Sequence, residues 1–492
     1  MIRNTQKARM RAKFISAIPW GALVVASATD ALAAGTAVDV QSARGTGMAS
    51  AVTAMIDDSS AVYYNPAGIA QGRRVDVLIG DTMIVPNFKF KSATTGNSAS
   101  TSGVVPPFHV YASAGITDQL SVGVGMFSPY GLAANWPSQW EGRSLATRSS
   151  LATYYINPTL AYRFGPLRIG AGLQIVRATL DLQRDIRFGA QDGSSDFGGD
   201  SWGVGGNVGA QFEAVRQYLS LGIHYRSAVK LDFEGSAHFE NIPLPFLATI
   251  HDQRVTTSLT QPDTLAFGLA SRPIPQLVVD LDLIWNDWKK VRAIAINFPD
   301  DPTGTLSSTQ AKNWKNTVNV HVGGELALAE KWRLRAGALY DPSPSPAQTL
   351  TPETPDANRL NLGIGGGYVH KSGLRADLGY QLLLLFDKTS TAPQLPGQYG
   401  GLVNIVSISI GYSAPIGRAA PASPQPDANE PPPVTAAPIA PAVPAAAPPP
   451  SDSSAPNPDS HAEPSATPTE PSSPWPESAP GDVQPTAPTG AP

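Results

Sequence analysis

Residues 277–285 read LVVDLDLIW, and the architecture of the chain follows from how that stretch is read. Leu277, Val279, Leu281, Leu283 and Trp285 alternate with Val278, Asp280, Asp282 and Ile284. A period of two gives one strand an apolar face and a partly acidic face. Residues 218–226 repeat the pattern, with Leu219, Leu221, Ile223 and Tyr225 opposite Ser220, Gly222, His224 and Arg226. So do residues 402–412, where Val406, Ile408, Ile410 and Tyr412 oppose Ser407, Ser409 and Gly411, and residues 332–338 and 376–382. A soluble β-sandwich alternates in the same way, so periodicity alone leaves two architectures open.

Context separates them. Residues 1–33 have the form of a signal peptide: Arg3, Lys7, Arg9, Arg11 and Lys13 precede an apolar run from Phe14 to Ala28 and the triplet Ala31-Leu32-Ala33. Export and a mature chain starting at Ala34 are therefore expected. The chain has no cysteine, so no disulfide holds it. It has no other apolar run long enough for a helical span, and its net charge of −4 gives no basic excess for nucleic acid. Export, alternating spans of roughly 10 residues, aromatics near span ends and polar inner faces together indicate a transmembrane barrel, which pairs every backbone group and leaves no edge.

The expected fold is all-β: a 14-stranded antiparallel barrel with strands near 74–90, 106–116, 119–129, 149–164, 166–188, 200–215, 217–239, 255–272, 275–297, 313–329, 331–341, 357–370, 373–387 and 399–413. An even number leaves both ends in the periplasm of a Gram-negative bacterium. The expected divisions are signal peptide 1–33, plug-like hatch 34–72, barrel 73–417 and tail 418–492. The tail is rich in Pro, Ala, Ser and Thr, with acids but no Lys or Arg after Arg418, and is expected to be disordered. It is either a periplasmic spacer or an inert extension.

Residues 57–68, DDSSAVYYNPAG, precede the first strand. Asp57, Asp58 and Ser59 are good N-caps for a short helical turn. Asn65 before Pro66 is pushed toward extended geometry, and Gly68 can take a positive φ, so a rigid bend follows. No histidine or third acid has ligand-like spacing around the Asp57-Asp58 pair, and no metal or cofactor is expected.

Gly45-Thr46-Gly47, Asp57-Asp58 and Asn65-Pro66-Ala67 together resemble the N-terminal hatch of the FadL/TodX (OMPP1) family, outer-membrane transporters of long-chain fatty acids and aromatic hydrocarbons. The resemblance continues through Pro129-Tyr130-Gly131-Leu132-Ala133, Trp140-Glu141-Gly142-Arg143, Asn157-Pro158-Thr159-Leu160-Ala161-Tyr162, Tyr225-Arg226-Ser227, Trp285-Asn286-Asp287-Trp288, Asp341-Pro342-Ser343-Pro344 and Pro355-Asp356-Ala357-Asn358-Arg359. It implies a monomeric hatch-plugged barrel, folded by the barrel-assembly machinery and surrounded by outer-membrane lipid, that takes up a hydrophobic ligand passively and performs no chemistry. The hatch residues Gly45, Gly47, Asn65, Pro66 and Ala67 would gate it, with the Asn-Pro-Ala bend meeting the wall where ligand leaves. A lateral opening would lie at a kink in strand three formed by Gly125, Ser128, Pro129, Tyr130 and Gly131. Locally, residues 128–131 read equally as the turn that ends that strand.

Parity along strand five supplies a pocket. Leu167, Ile169, Ala171, Leu173 and Ile175 point at lipid; continued upward, Arg177, Thr179, Asp181 and Gln183 face out, and Ala178, Leu180, Leu182 and Arg184 face in. An apolar lumen above the bilayer follows. On strand seven Lys230, Asp232 and Glu234 are expected to face inward, making the pocket one-sided. Arg184 matches a basic residue of fatty-acid-transporting relatives and either pairs with a carboxylate head group or is a surface arginine. Trp136, Trp140 and Leu145, flanked by Arg143 and Arg148, form an expected outer capture groove. An outer-membrane lipid hydrolase is the alternative in another class, although no G-x-S-x-G context is present; a polar-solute porin is a third. One departure from the family stands out: the tail follows Tyr412, so the assembly signal is expected to be internal, around residues 410–412.

Overall fold

Backbone pairing around the lumen closes on itself. In the computed structural model, which describes residues 35–189 and 191–417, Arg74 pairs with Pro415 and Ser92 with Gly397, so the first and last strands zip together along their whole length. Twenty ladder segments form one sheet and make up 14 antiparallel strands. Eight strands are continuous: Arg74–Ser92 (one), Arg148–Phe164 (four), Leu167–Phe188 (five), Gln191–Val215 (six), Trp332–Asp341 (eleven), Arg359–Val369 (twelve), Leu374–Ser390 (thirteen) and Gly397–Pro415 (fourteen). Six come in two pieces: Ser98–Ser100 with Phe108–Gly115 (two), Leu120–Phe127 with Gly131–Asn135 (three), Leu219–Arg226 with Val229–Glu240 (seven), Gln253–Gln261 with Thr264–Ile274 (eight), Leu277–Asn286 with Ala293–Asn297 (nine), and Ser308–Ala311 with Thr317–Leu328 (ten). The signal peptide and the acidic tail expected from the sequence lie outside the described residues.

The alternating residues sort as a bilayer requires. Ile79, Leu160, Ile169, Leu173, Val208, Leu283, Leu378 and Ile410 stand exposed on the outer face, the apolar band that lipid covers. Their neighbours Asp280, Asp282, Ser407 and Ser409 are buried toward the lumen. On strand five Leu180, Leu182 and Arg184 face the lumen.

Strand seven differs from the sequence expectation. Lys230, Asp232 and Glu234 face outward, while Val229, Leu231 and Phe233 are buried inside. The reason is a bulge at Ser227-Ala228. Below it Arg226 is level with Asn207 of strand six; above it Glu234 is level with Asp200, eight residues on one strand against seven on the other. One extra residue reverses parity, so the apolar upper lumen is not one-sided.

The hatch fills the lumen with its backbone laid directly on the wall. Its first helical turn, Ala43–Gly47, contains Gly45 and Gly47 and is capped by the Ser42 hydroxyl, which accepts from Gly45 N. A Cβ on Gly45 would strike the Tyr64 hydroxyl, and one on Gly47 would lie 3.0 Å from Gly365 Cα. Wall glycines make the matching concession: a Cβ on Gly379 would lie 2.5 Å from Ala43 O, and one on Gly222 2.6 Å from Thr53 O. Wall side chains then bond the hatch backbone. Asp282 Oδ2 accepts from Val52 N and Thr53 N at 2.9 and 3.0 Å, Asp280 Oδ2 accepts from Ala54 N at 3.2 Å, and His321 Nδ1 lies 2.9 Å from Ala49 O.

Near the short-turn end, charges lock the hatch. Arg44 bridges Asp57 at 2.7 Å, Asp58 at 3.0 Å and Glu325 of strand ten at 3.2 Å. Glu325 is held by Arg335, which also binds Asp377. Burial alone would raise the Asp58 carboxyl; the Arg375 and Arg44 guanidinium groups outweigh it and hold Asp58 below its ordinary value. Asp58 also accepts from Ser60 N at 2.9 Å, so it braces the turn leading into Ala61–Tyr64. Removing Arg44, the buried centre of this set, leaves uncompensated charge on Asp58 and Glu325, at a cost of about 3–5 kcal/mol.

The glycine seat can be tested by filling it. At Gly363 a Cβ would lie 2.7 Å from Thr46 O and 3.0 Å from Ala49 N, both backbone. Gly363→Val should loosen the hatch by about 1–3 kcal/mol, read as faster tryptic cleavage at Arg44 in the folded protein. An unchanged cleavage rate would remove the glycine contacts from the account of hatch seating.

Candidate functional site

Strand three is interrupted at the place where proline enters it. Leu120–Phe127 pairs with strand two up to Val110↔Met126, and the strand resumes at Gly131–Asn135, whose ladder runs along strand four. Residues 128–130 are therefore an interruption within strand three and not its end. Strand two keeps its register on strand one across this level, through Asp81↔Phe108 and the bridge Ile84↔Val105, and meets strand three again only at the bridge Ser102↔Asn135. Between the last pair and that bridge, no ladder joins strands two and three. The wall has a gap.

The backbone groups at the gap find partners in the hatch. Val38 N donates to Pro129 O at 2.9 Å, Gly131 N donates to Thr36 O at 2.8 Å, and Ala37 bridges Tyr130 in antiparallel sense. Gln41 completes the seal with its amide: Nε2 donates to Ser128 O at 2.8 Å and Oε1 accepts from Ser128 N at 3.1 Å. Residues 36–38 thus act as a short inner strand, pairing groups that would otherwise be orphaned beside lipid. Gly125, just below, lets Tyr111 lie close, since a Cβ there would be 2.6 Å from Tyr111 Cδ1.

The Asn-Pro-Ala bend lies elsewhere, which corrects the sequence expectation that it meets the wall at the kink. Asn65 is extended (φ −164°) and Pro66–Ile69 forms a 3-10 turn. Asn65 Nδ2 donates to Thr53 O of the hatch and to Ala210 O and Ile223 O of strands six and seven, at 2.9, 3.1 and 3.3 Å, while Oδ1 accepts from Ala67 N at 3.2 Å. Pro66 abuts Gly170 of strand five. The bend is a fixed foot on the wall of strands five to seven, where Gly170 and Gly209 leave room for Pro66 and Asn65. Nothing in the sequence around Thr36, Val38 or Gln41 marked them as the groups that reach the kink.

Two apolar cavities occupy the lumen above the hatch. The larger, about 290 Å³, runs from the gap at Pro107, Ser128 and Gly131, past Val38 and Val40 of the hatch, to strands twelve to fourteen. Its polar end holds Asp356, Arg359, Asn361 and Gln381. There Arg359 pairs with Asp341 at 2.8 Å, and Asp356 accepts from Ser343 Oγ at 2.9 Å. Burial pushes the Asp356 carboxyl up to about 6, against the pull of Lys388 and Arg359. Asp39 of the hatch also lines this cavity, and burial raises it above the ordinary carboxylate value despite Arg359 and Arg226. The smaller cavity, about 100 Å³, collects Leu145, Arg148, Leu180, Leu182 and Arg184 with Phe197 and Phe239. Leu132 and Leu151 line both cavities and stand between them.

Of the residues expected to bind ligand, the structure brings together Leu145, Arg148, Leu180, Leu182 and Arg184 and separates Trp136, Trp140 and Arg143 from them. Neighbouring arginines are engaged: Arg143 with Asp185 and Asp192, Arg148 with Asp181, Arg177 with Asp200. Arg184 forms no such pair among the described residues. Trp136 and Trp140 do not line a capture groove. Both are 5 % exposed, stacked with centroids 4.5 Å apart, and packed with Phe90, Leu350, Leu395 and Tyr399. Their indole N–H groups are used internally, on Pro352 O and Ala146 O. They are the core of the loop cap, and Arg143 ties that cap to the hairpin of strands five and six.

A closed barrel with an apolar outer band, a lumenal hatch and apolar cavities defines an outer-membrane transport barrel. The chain belongs to the outer membrane protein transport protein (OMPP1/FadL/TodX) family, whose model matches residues 24–410. It is 25% identical over 394 residues to the long-chain fatty acid transport protein of Salmonella typhi, covering 73% of this chain and 90% of that one. Among solved structures, a Pseudomonas aeruginosa FadL homologue superposes with a TM-score of 0.68 at 18% identity, covering 77% of this chain and 99% of that chain. The P. putida toluene transporter TodX gives 0.61 at 17% identity, covering 79% and 100%. These structural likenesses establish the fold.

The seal predicts a local effect. Gln41→Ala removes both hydrogen bonds to Ser128 and should accelerate amide exchange at Ser128 about tenfold, with the ladder of strands five and six unaffected, measured by hydrogen exchange. Equal protection at Ser128 in both proteins would mean that Gln41 does not hold the kink.

Proposed function

We propose that this barrel admits hydrophobic molecules, long-chain fatty acids or aromatic hydrocarbons, passively across the outer leaflet. Ligand enters the smaller cavity, passes Leu132 and Leu151 into the larger one, displaces the hatch segment at residues 36–38 and leaves laterally through the gap in strand three. The observation that carries this reading is the apolar cavity of about 290 Å³ that ends on a wall gap sealed only by the hatch. The printed functions of the relatives, fatty acid transport and toluene transport, support the ligand class. Arg184, which lines the smaller cavity and forms no ion pair among the described residues, suits a carboxylate head group.

Two experiments test the route and the head group. Ala37 and Tyr130 are bridge partners and the chain has no cysteine, so Ala37→Cys with Tyr130→Cys can form one unambiguous disulfide. Oxidation should reduce uptake to background and reductant should restore it; full uptake by the oxidised protein would rule out lateral exit beneath residues 36–38. Arg184→Ala should weaken fatty-acid binding about tenfold while leaving toluene binding unchanged, checked by equilibrium titration. Equal affinities for the acid before and after substitution would remove Arg184 from the site.

A further inference from the structure

We infer that the polar end of the larger cavity is a head-group site for a neutral hydrogen-bonding group, built by Asn361 of strand twelve and Gln381 of strand thirteen. The inference rests on the lumenal route proposed above.

Both side chains line the cavity and are almost fully buried, at 4 % and 1 % exposure. Neither amide makes a hydrogen bond among the described residues, and Asn361 Oδ1 and Gln381 Oε1 are enclosed without a partner. Buried amides left unpaired cost about 1–3 kcal/mol each, and here two of them face one apolar space lined by Leu383, Val403 and Ile405. Each amide carries one donating and one accepting end, so the conclusion holds whichever way either is flipped.

The charges around this end decide what kind of head group fits. Arg359 is committed to Asp341 at 2.8 Å, and Lys388 is bonded to Ser343 and Ser345. Asp39 and Asp356 add two carboxyl groups to the same lining. Among the described residues each cation at this end already has a protein partner, and carboxylates stand close by. A hydroxyl, or a carboxylic acid carrying its proton, instead donates to one amide oxygen and accepts from the other amide nitrogen. The smaller cavity differs in holding Arg184, which forms no ion pair among the described residues. The two cavities therefore select different heads on the same kind of tail: a carboxylate at Arg184, and a neutral donor–acceptor group beside the gap. A fatty alcohol gains both hydrogen bonds there; an alkane gains none.

The test uses the full mature chain in nanodiscs, with 1-dodecanol and dodecane as probes in equilibrium titrations. Wild-type protein should bind dodecanol more tightly than dodecane. The double variant Asn361→Leu with Gln381→Leu should lose about tenfold in dodecanol affinity and keep or improve dodecane affinity. Gln381→Met, close in shape, provides a second variant if the pair fails to assemble, and should lose severalfold for dodecanol alone. Equal losses for both probes, or undiminished dodecanol binding, would overturn the head-group site and leave the transport reading intact. Failure of wild-type protein to bind either probe would overturn the transport reading itself.

Discussion

Backbone pairing in an environment without water is the constraint from which the rest of this molecule follows. Each N–H or C=O left unpaired beside hydrocarbon costs several kcal/mol, so a barrel must close. This one closes between strands one and fourteen, then departs from the rule where Pro129 breaks strand three. The departure is tolerated because residues 36–38 and the Gln41 amide supply the missing partners from inside. The hatch is therefore part of the wall as well as a plug in the lumen.

A plug that completes the wall has to be positioned accurately without being fixed covalently, and the chain has no cysteine to fix it. Two devices serve. Glycines at Gly222, Gly363 and Gly379 let hatch backbone approach closer than any side chain would allow, which converts shape into register. Inward polar residues then read that backbone one amide at a time, as Asp282 does for Val52 and Thr53 and Asn65 does in return for Ala210 and Ile223. The buried Arg44 set adds orientation more than net stability, since burying charge costs much of what pairing returns.

How much of this was legible in the sequence depended on whether a strand runs unbroken. Strand five is continuous over Leu167–Phe188, and there simple alternation placed Leu180, Leu182 and Arg184 in the lumen. Strand seven carries one extra residue at Ser227-Ala228, and the same rule put Lys230, Asp232 and Glu234 on the wrong face. Composition could not warn of that bulge, because serine and alanine are as common in straight strands. The tryptophans misled for another reason: Trp136 and Trp140 have the chemistry of a capture surface, but their burial with Phe90 and Tyr399 is set by chain folding in the loops, which has no periodic signature. The Asn-Pro-Ala bend announced its own geometry and not its place on the wall. Asp280 and Asp282, two acids on one inner face, were the visible trace of a hatch seat; the partners they hold are backbone amides, which no sequence displays.

The hatch segment that seals the gap also shapes both cavities, and this ties occupancy to closure. Thr36 lines the smaller cavity, while Ala37, Val38 and Val40 line the larger. A ligand that fills the larger cavity presses against the same residues whose N–H and C=O groups stand in for a missing strand. Its apolar tail can replace their side-chain contacts, but it cannot replace their hydrogen bonds. On the proposed route, displacement of the segment would leave the kink's backbone unsatisfied until ligand has gone, and resealing would be favoured by the same pairing that closes the barrel. Under the proposed function the open state is short-lived for a structural reason, and the barrel passes a greasy molecule without becoming a water-filled pore.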